Sequence, residues 1–177
     1  MNDFRFGTAR NDETIVHGAW RPAYPAKSVN SLEPVREWID FMARKGIRRV
    51  CCLLSPEQLA YYHPDDLLEE YRSQFGASNV CSAPIEDYHL CDECLLDTVM
   101  MPFLIESDEA AMPVVVHCSG GSGRTGHVLA AWLVRHRGLP VDDALAAVIA
   151  TGRNPREAVG CGNASEDELR RLLLGSK

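Results

Sequence analysis

The chain has 177 residues, enough for one ordinary globular domain with a full core, and its 46% apolar and 24% charged residues match a folded soluble protein. Its formal net charge of −7 argues against nucleic acid or an anionic membrane as a general partner, because phosphate backbones are held by surplus Lys and Arg. The opening stretch MNDFRFGTARNDET carries no apolar core of signal-peptide length, and no later run approaches a membrane span; a cytoplasmic protein is expected, with its seven cysteines reduced.

Elements are expected in this order. Residues 1–30 read as an N-terminal extension, with HGAWRPAYP (His17–Pro25) a loop before the first long helix. SLEPVREWIDFMARKG is that helix, with Val35, Trp38, Ile39 and Met42 on one stripe and a glycine stop. IRRVCCLL follows as a buried strand. In SPEQ, Ser55 caps a short helix, Pro56 takes its first position and Gln58 stands three after the cap. PDDLLEEYRSQF is a helix and NVCSAPI a core strand. DECLLDTVMMPFLIES is helical in pattern, but Pro102 should kink or divide it. PVVVHC is a strand, RTGHVLAAWLVRHRG and VDDALAAVIATG are helices, and SEDELRRLLL closes the chain behind a Ser165/Glu168 capping box. Helices alternating with short apolar strands predict a single α/β domain over 1–177, a central, mostly parallel sheet flanked by helices. Ligands of such sheets sit beyond the carboxyl ends of the strands, where Cys118 falls.

The stretch VVVHCSGGSGRTG, residues 114–126, combines a strand end, a glycine turn and a helix start. Backbone N–H groups converge in such a turn and hold an anion. Gly120, Gly121 and Gly123 permit the close approach this needs, and Ser119 and Ser122 add little bulk. Arg124 brings a planar fork that holds two phosphate oxygens at once. Cys118 stands at the base of the cradle, where amides and a helix N-terminus favour the thiolate. Thr125 can donate a hydrogen bond to that sulfur, and His117 can orient the loop. A nucleotide P-loop requires Gly-x4-Gly-Lys-Ser/Thr, which is absent here. Nucleophile, amide cradle and guanidinium clamp together point to covalent phosphate chemistry.

His117-Cys118-x5-Arg124-Thr125-Gly126 resembles the signature of the cysteine-dependent protein tyrosine phosphatase superfamily, and HCSGGSGRTG is most similar to its small, atypical dual-specificity branch. The resemblance implies a dual-specificity-phosphatase-like fold and a phosphatase that needs no metal or other cofactor. It implies Cys118 as nucleophile, Arg124 as clamp, and Ser119, Gly120, Gly121, Ser122 and Gly123 as the binding loop. The general acid of that family is an aspartate in a Pro-hydrophobic-x-Asp loop upstream. In SAPIEDYHL, Asp87 matches it, 31 residues before Cys118, with Glu86 its nearest competitor. The family often carries a proline soon after the acid, whereas this chain reads YHLCDEC.

Many relatives position the hydrolytic water with a downstream glutamine. GCGNASEDELRR has none, and Asn163 or Ser165 can substitute. The resemblance also gives Arg153 of TGRNPRE a role in supporting the loop or contacting substrate, and HGAWRPAYP a place as one wall of the pocket. Cys51, Cys52 or Cys81 can capture an oxidised Cys118. Cys91-x2-Cys94 lacks the second pair that a structural zinc site requires. The neutral loop favours phosphotyrosine or phosphoserine/threonine of proteins over a highly anionic phosphoinositide or small molecule. A phosphate-recognition module with little turnover, or sulfur transfer through Cys118, is the alternative. Nothing in the chain specifies an oligomeric state.

Overall fold

The computed structural model describes residues 3–175; residues 1–2 and 176–177 of the expected 1–177 domain lie outside them. Among the described residues five strands form one sheet: β1 (Gly7–Thr8), β2 (Val16–Trp20), β3 (Arg49–Cys52), β4 (Val80–Ser82) and β5 (Val114–Cys118), in the order β1-β2-β5-β3-β4. Only β1 runs antiparallel to its neighbour. β5 lies at the centre, and side-chain alternation splits it between two cores. Val114, Val116 and Cys118 face one, and Val115 faces the other.

The helices fill these two layers. α1 (Glu33–Arg44) and α3 (Leu67–Phe75) cover one face, burying Trp38, Met42 and Tyr71 with Val50 and Val115. α2 (Pro56–Leu59) begins on the Ser55 cap, whose side chain accepts the Gln58 N–H. On the other face pack α4 (Glu93–Leu95), a π-helical turn at Leu96–Met100, α5 (Met101–Glu109), α6 (Gly123–Arg135), α7 (Val141–Ala150) and α9 (Glu166–Leu174), with the short α8 (Glu157–Gly160) between the last two. Pro102 divides its segment as expected. It falls in the first turn of α5, where the missing N–H costs nothing, directly after the wider π turn. The Ser165/Glu168 capping box is present.

The N-terminal region differs from its sequence reading. Val16–Trp20 is a strand, inserted between β1 and β5, and not part of a loop or peripheral extension. Its histidine and glycine give it no strand pattern alone; pairing with β5 from Val16↔Val114 to Trp20↔Cys118 makes it one. Gly18 is required there, since a methyl group on it would lie 2.6 Å from Arg153 Nε and 2.8 Å from Thr125 Cγ2.

Candidate active site

β5 ends at Cys118, and the loop Ser119–Ser122 leads straight into α6. Cys118, Ser119, Gly120, Ser122, Gly123 and Arg124 line a cleft of about 230 Å³. Gly121 is the exception. It is buried with φ +64°, and a methyl group there would lie 2.6 Å from the Ala19 carbonyl, so the loop turns at this point by packing its backbone onto β2. Gly121 therefore shapes the loop from beneath and does not line the cleft.

Arg124 is almost fully buried at the cleft floor. Its Nη1 donates to Gln58 Oε1 at 2.7 Å and to the Ile85 carbonyl at 3.0 Å. Its Nη2 pairs with Asp87 Oδ1 at 2.8 Å, and Gln58 Nε2 donates to Asp87 Oδ2 at 3.1 Å. The guanidinium is thus aimed by α2 on one side and the Ile85–Asp87 loop on the other. Asp87 lines the cleft, whereas Glu86 does not. Sequence reasoning missed Gln58 in this role. It appeared only as part of a helix start, and its amide reaches Arg124 and Asp87 rather than the cap.

The supporting residues take distinct places. His117 is buried among Trp38 and Tyr71, with Nε2 3.2 Å from the Tyr71 hydroxyl and Nδ1 3.4 Å from the Cys118 carbonyl. Burial pushes its pKa down to about 3, so the ring is neutral, and a proton on Nδ1 serves both contacts. Thr125 is buried and its hydroxyl has no hydrogen-bond partner among the described residues; the bond to the Cys118 sulfur expected from sequence is not made. Arg153 does not line the cleft. It donates to the carbonyls of Gly18 at 2.8 Å and Gly7 at 3.1 Å and to Thr151 Oγ1 at 2.9 Å, bracing the β1–β2 edge on which the loop rests. Burial, then the neighbouring Arg5, bring its pKa down to about 10.

Residues far apart in the chain complete the cleft. Tyr24 supplies the wall expected from HGAWRPAYP, and Tyr88, Arg5 and Glu157 also line it. Arg5 Nη1 donates to the Gly120 carbonyl at 3.3 Å. The buried Arg21 holds Ser119 twice, its backbone N–H on the Ser119 carbonyl at 3.1 Å and its Nε on the hydroxyl at 3.2 Å. His127 accepts the Cys91 N–H at 3.2 Å, tying the chain beyond Asp87 to α6; burial, then Arg124, push its pKa to about 3. Asn163 and Ser165, the candidates for holding water, are engaged elsewhere. Asn163 donates to the Tyr88 carbonyl, and Ser165 caps α9. Arg5, Arg21 and Glu157 carry no local motif.

Cys51 lies directly opposite Cys81 and shares a thiol hydrogen bond with it; that bond, then burial, hold the Cys51 thiol well above its ordinary range. Burial pushes the Cys52 thiol up to about 12.

The model of the Swiss Army Knife DSP-PTPase phosphatase domain (PTP-SAK) matches residues 28–156. Among solved structures, the chain is similar to the active form of Tk-PTP, at 25% identity over 89% of this chain and 92% of that one, with a TM-score of 0.66. Kinase associated phosphatase is similar at 19% identity over 89% of this chain and 83% of its own, TM-score 0.63. PTPMT1 in complex with PI(5)P is similar at 11% identity over 97% and 95%, TM-score 0.69; at such identities these two share the fold alone. No curated protein matches.

Proposed function

Because the chain belongs to the Swiss Army Knife DSP-PTPase phosphatase domain family, it is a cysteine-based phosphatase, and we propose that it hydrolyses phosphate monoesters of proteins through a phosphocysteine on Cys118. The observation that carries this reading is the junction at Arg124. One buried guanidinium joins the candidate acid Asp87 to the cradle beside the candidate nucleophile.

In the ligand-free protein Asp87 occupies Arg124 Nη2. A phosphoryl group entering the cradle takes the Arg124 fork through two of its oxygens and releases the Asp87 carboxylate, which takes up a proton from solvent or from a substrate arriving as its monoanion. The Cys118 sulfur then attacks phosphorus, the bond to the leaving oxygen breaks, and Asp87 delivers the proton that oxygen needs. In the second step water attacks phosphorus, its proton passes to Asp87, and the S–P bond breaks to return the thiolate. Loop amides and Arg124 hold the equatorial oxygens through both steps. The scheme calls on no metal.

Tyr24 and Tyr88, both exposed at the rim, offer apolar ring faces to an aryl group, and the loop between Cys118 and Arg124 is uncharged. Both features support phosphotyrosine in proteins, with phosphoserine/threonine next. Seven unpaired cysteines support a reducing, cytoplasmic setting.

The test is steady-state hydrolysis of p-nitrophenyl phosphate in excess EDTA. The parent should turn over, Cys118→Ser should be inactive, and Asp87→Asn should lose about 10²- to 10⁴-fold in kcat. An inactive parent, or an active Cys118→Ser, overturns the proposal.

A further inference from the structure

Asp87 sits in a stretch, residues 85–91, that contains no proline, helix or strand, so its shape rests on bonds from outside it. Both ends are fixed from α6. Arg124 Nη1 donates to the Ile85 carbonyl at 3.0 Å, and the buried His127 accepts the Cys91 N–H at 3.2 Å. The middle is held from elsewhere. Asn163 Nδ2 donates at 3.0 Å to the carbonyl of Tyr88, the residue directly after Asp87. Tyr88 has φ +62°, a left-handed backbone that a tyrosine keeps only where its surroundings hold it.

Asn163 reaches this loop from a fixed backbone. It follows the last turn of α8, where its N–H donates to the Ala158 carbonyl at 3.0 Å and Gly162 turns the chain with φ +78°. Two residues later Ser165 caps α9.

We propose, on the reading of Asp87 as the acid, that Asn163 is a positioning residue, keeping Asp87 over the cleft through the Tyr88 carbonyl once substrate has taken the Arg124 fork. In the ligand-free protein the ion pair with Arg124 holds the carboxylate in place. That pair is given up when a phosphoryl group arrives, just before the proton must be delivered. From then on the Gln58 amide holds the carboxyl group, and Asn163 holds the backbone beside it. An acid must stay within hydrogen-bond reach of the leaving oxygen, and a loop that drifts takes it out of reach. The bond is exposed and uncharged, so it supplies a modest factor and not the whole effect of the acid.

For such a reaction kcat/KM reports formation of the phosphocysteine, and its dependence on the leaving group isolates proton delivery. Phenyl phosphate needs a proton on its departing oxygen; a dinitrophenyl phosphate, the ester of a far more acidic phenol, does not. Asn163→Ala should lower kcat/KM for phenyl phosphate about three- to tenfold. The dinitrophenyl ester should be cleaved as by the parent, which also shows that the variant is folded. Asn163→Asp, of the same shape but without the donor, should do the same. In an Asp87→Asn background, where the acid is already gone, Asn163→Ala should cost nothing further. Equal losses on both esters, no loss on either, full activity of Asn163→Asp, or an undiminished effect in the Asp87→Asn background overturns the inference while the proposed reaction stands. An inactive parent, or an Asp87→Asn variant that loses equally on both esters, overturns the proposed proton delivery and this inference with it.

Discussion

Arg124 shows what a single buried side chain requires. A guanidinium at this depth needs partners for its N–H groups, and it takes them from Gln58, Ile85 and Asp87. In the proposed reaction those bonds also aim the fork that meets two phosphoryl oxygens, which makes Gln58 a positioning residue acting through Arg124. Gln58→Ala should lower kcat/KM about tenfold or more, from the loss of a hydrogen bond to a charged group, with far-UV circular dichroism and cooperative melting retained. An unchanged kcat/KM would show that Ile85 and Asp87 suffice. The residues nearest in sequence to Cys118 were legible because their chemistry is written in consecutive positions. Gln58 was not, since its neighbours Ser55 and Pro56 offer a complete local explanation for it as a helix start.

At the scale of elements, the binding loop is a contact between α6, β5 and β2. Its turn depends on Gly121, whose φ of +64° and approach to the Ala19 carbonyl leave no room for a side chain. Gly46 has φ +82° with nothing within 4 Å of an added methyl group, so it carries the backbone cost without the clash. Gly46→Ala should cost about 1–2 kcal/mol of stability and leave kcat unchanged. Gly121→Ala should lose most activity toward p-nitrophenyl phosphate, since the loop must lift off β2. Equal activity in the two variants would show that the seating of the loop on β2 does not matter. This dependence also explains why the N-terminal strand escaped the sequence reading. HGAW has no alternation of its own, and its strand geometry comes from the ladder to β5 and from the Arg153 guanidinium against Gly18.

Across the whole molecule, the β1–β2 connection is locked to the helical layer by Glu13. Its carboxylate accepts from the Ile15 N–H at 2.9 Å, Trp132 Nε1 at 3.1 Å and Arg137 Nε at 2.9 Å, and Arg137 also pairs with Asp108 at 2.6 Å. Burial alone pushes the Glu13 carboxyl up, but Arg137, Ile15 and Trp132 together outweigh it and bring the pKa to about 2, against an ordinary 4.5. A carboxyl whose folded pKa is depressed stabilises the fold above its unfolded value and loses that contribution as pH falls through the folded one. Glu13→Gln should therefore cost about 2 kcal/mol near neutral pH, and the gap from the parent should narrow between about pH 4.5 and 2, read by chemical denaturation at each pH. A gap independent of pH would show that the charge of Glu13 contributes nothing.

Sequence alone determined what is encoded in short range: alternating helices and apolar strands, the helix caps, and the run from Cys118 to Arg124 that concentrates the candidate nucleophile, amides and candidate clamp in seven consecutive residues. Spacing also pointed to Asp87 as the candidate acid, at the place upstream of Cys118 that the resemblance implies. Only the tertiary structure decided that Gln58 and Ile85 hold the Arg124 guanidinium, that β2 seats the loop, and that Glu157 packs against Gly123 at the start of α6. The reason is that a side chain's partner across the fold leaves no local trace. Glutamine after a helix cap, or glutamate opening a short helix, satisfies its own segment and acquires a second role only when the sheet brings distant segments within hydrogen-bond reach.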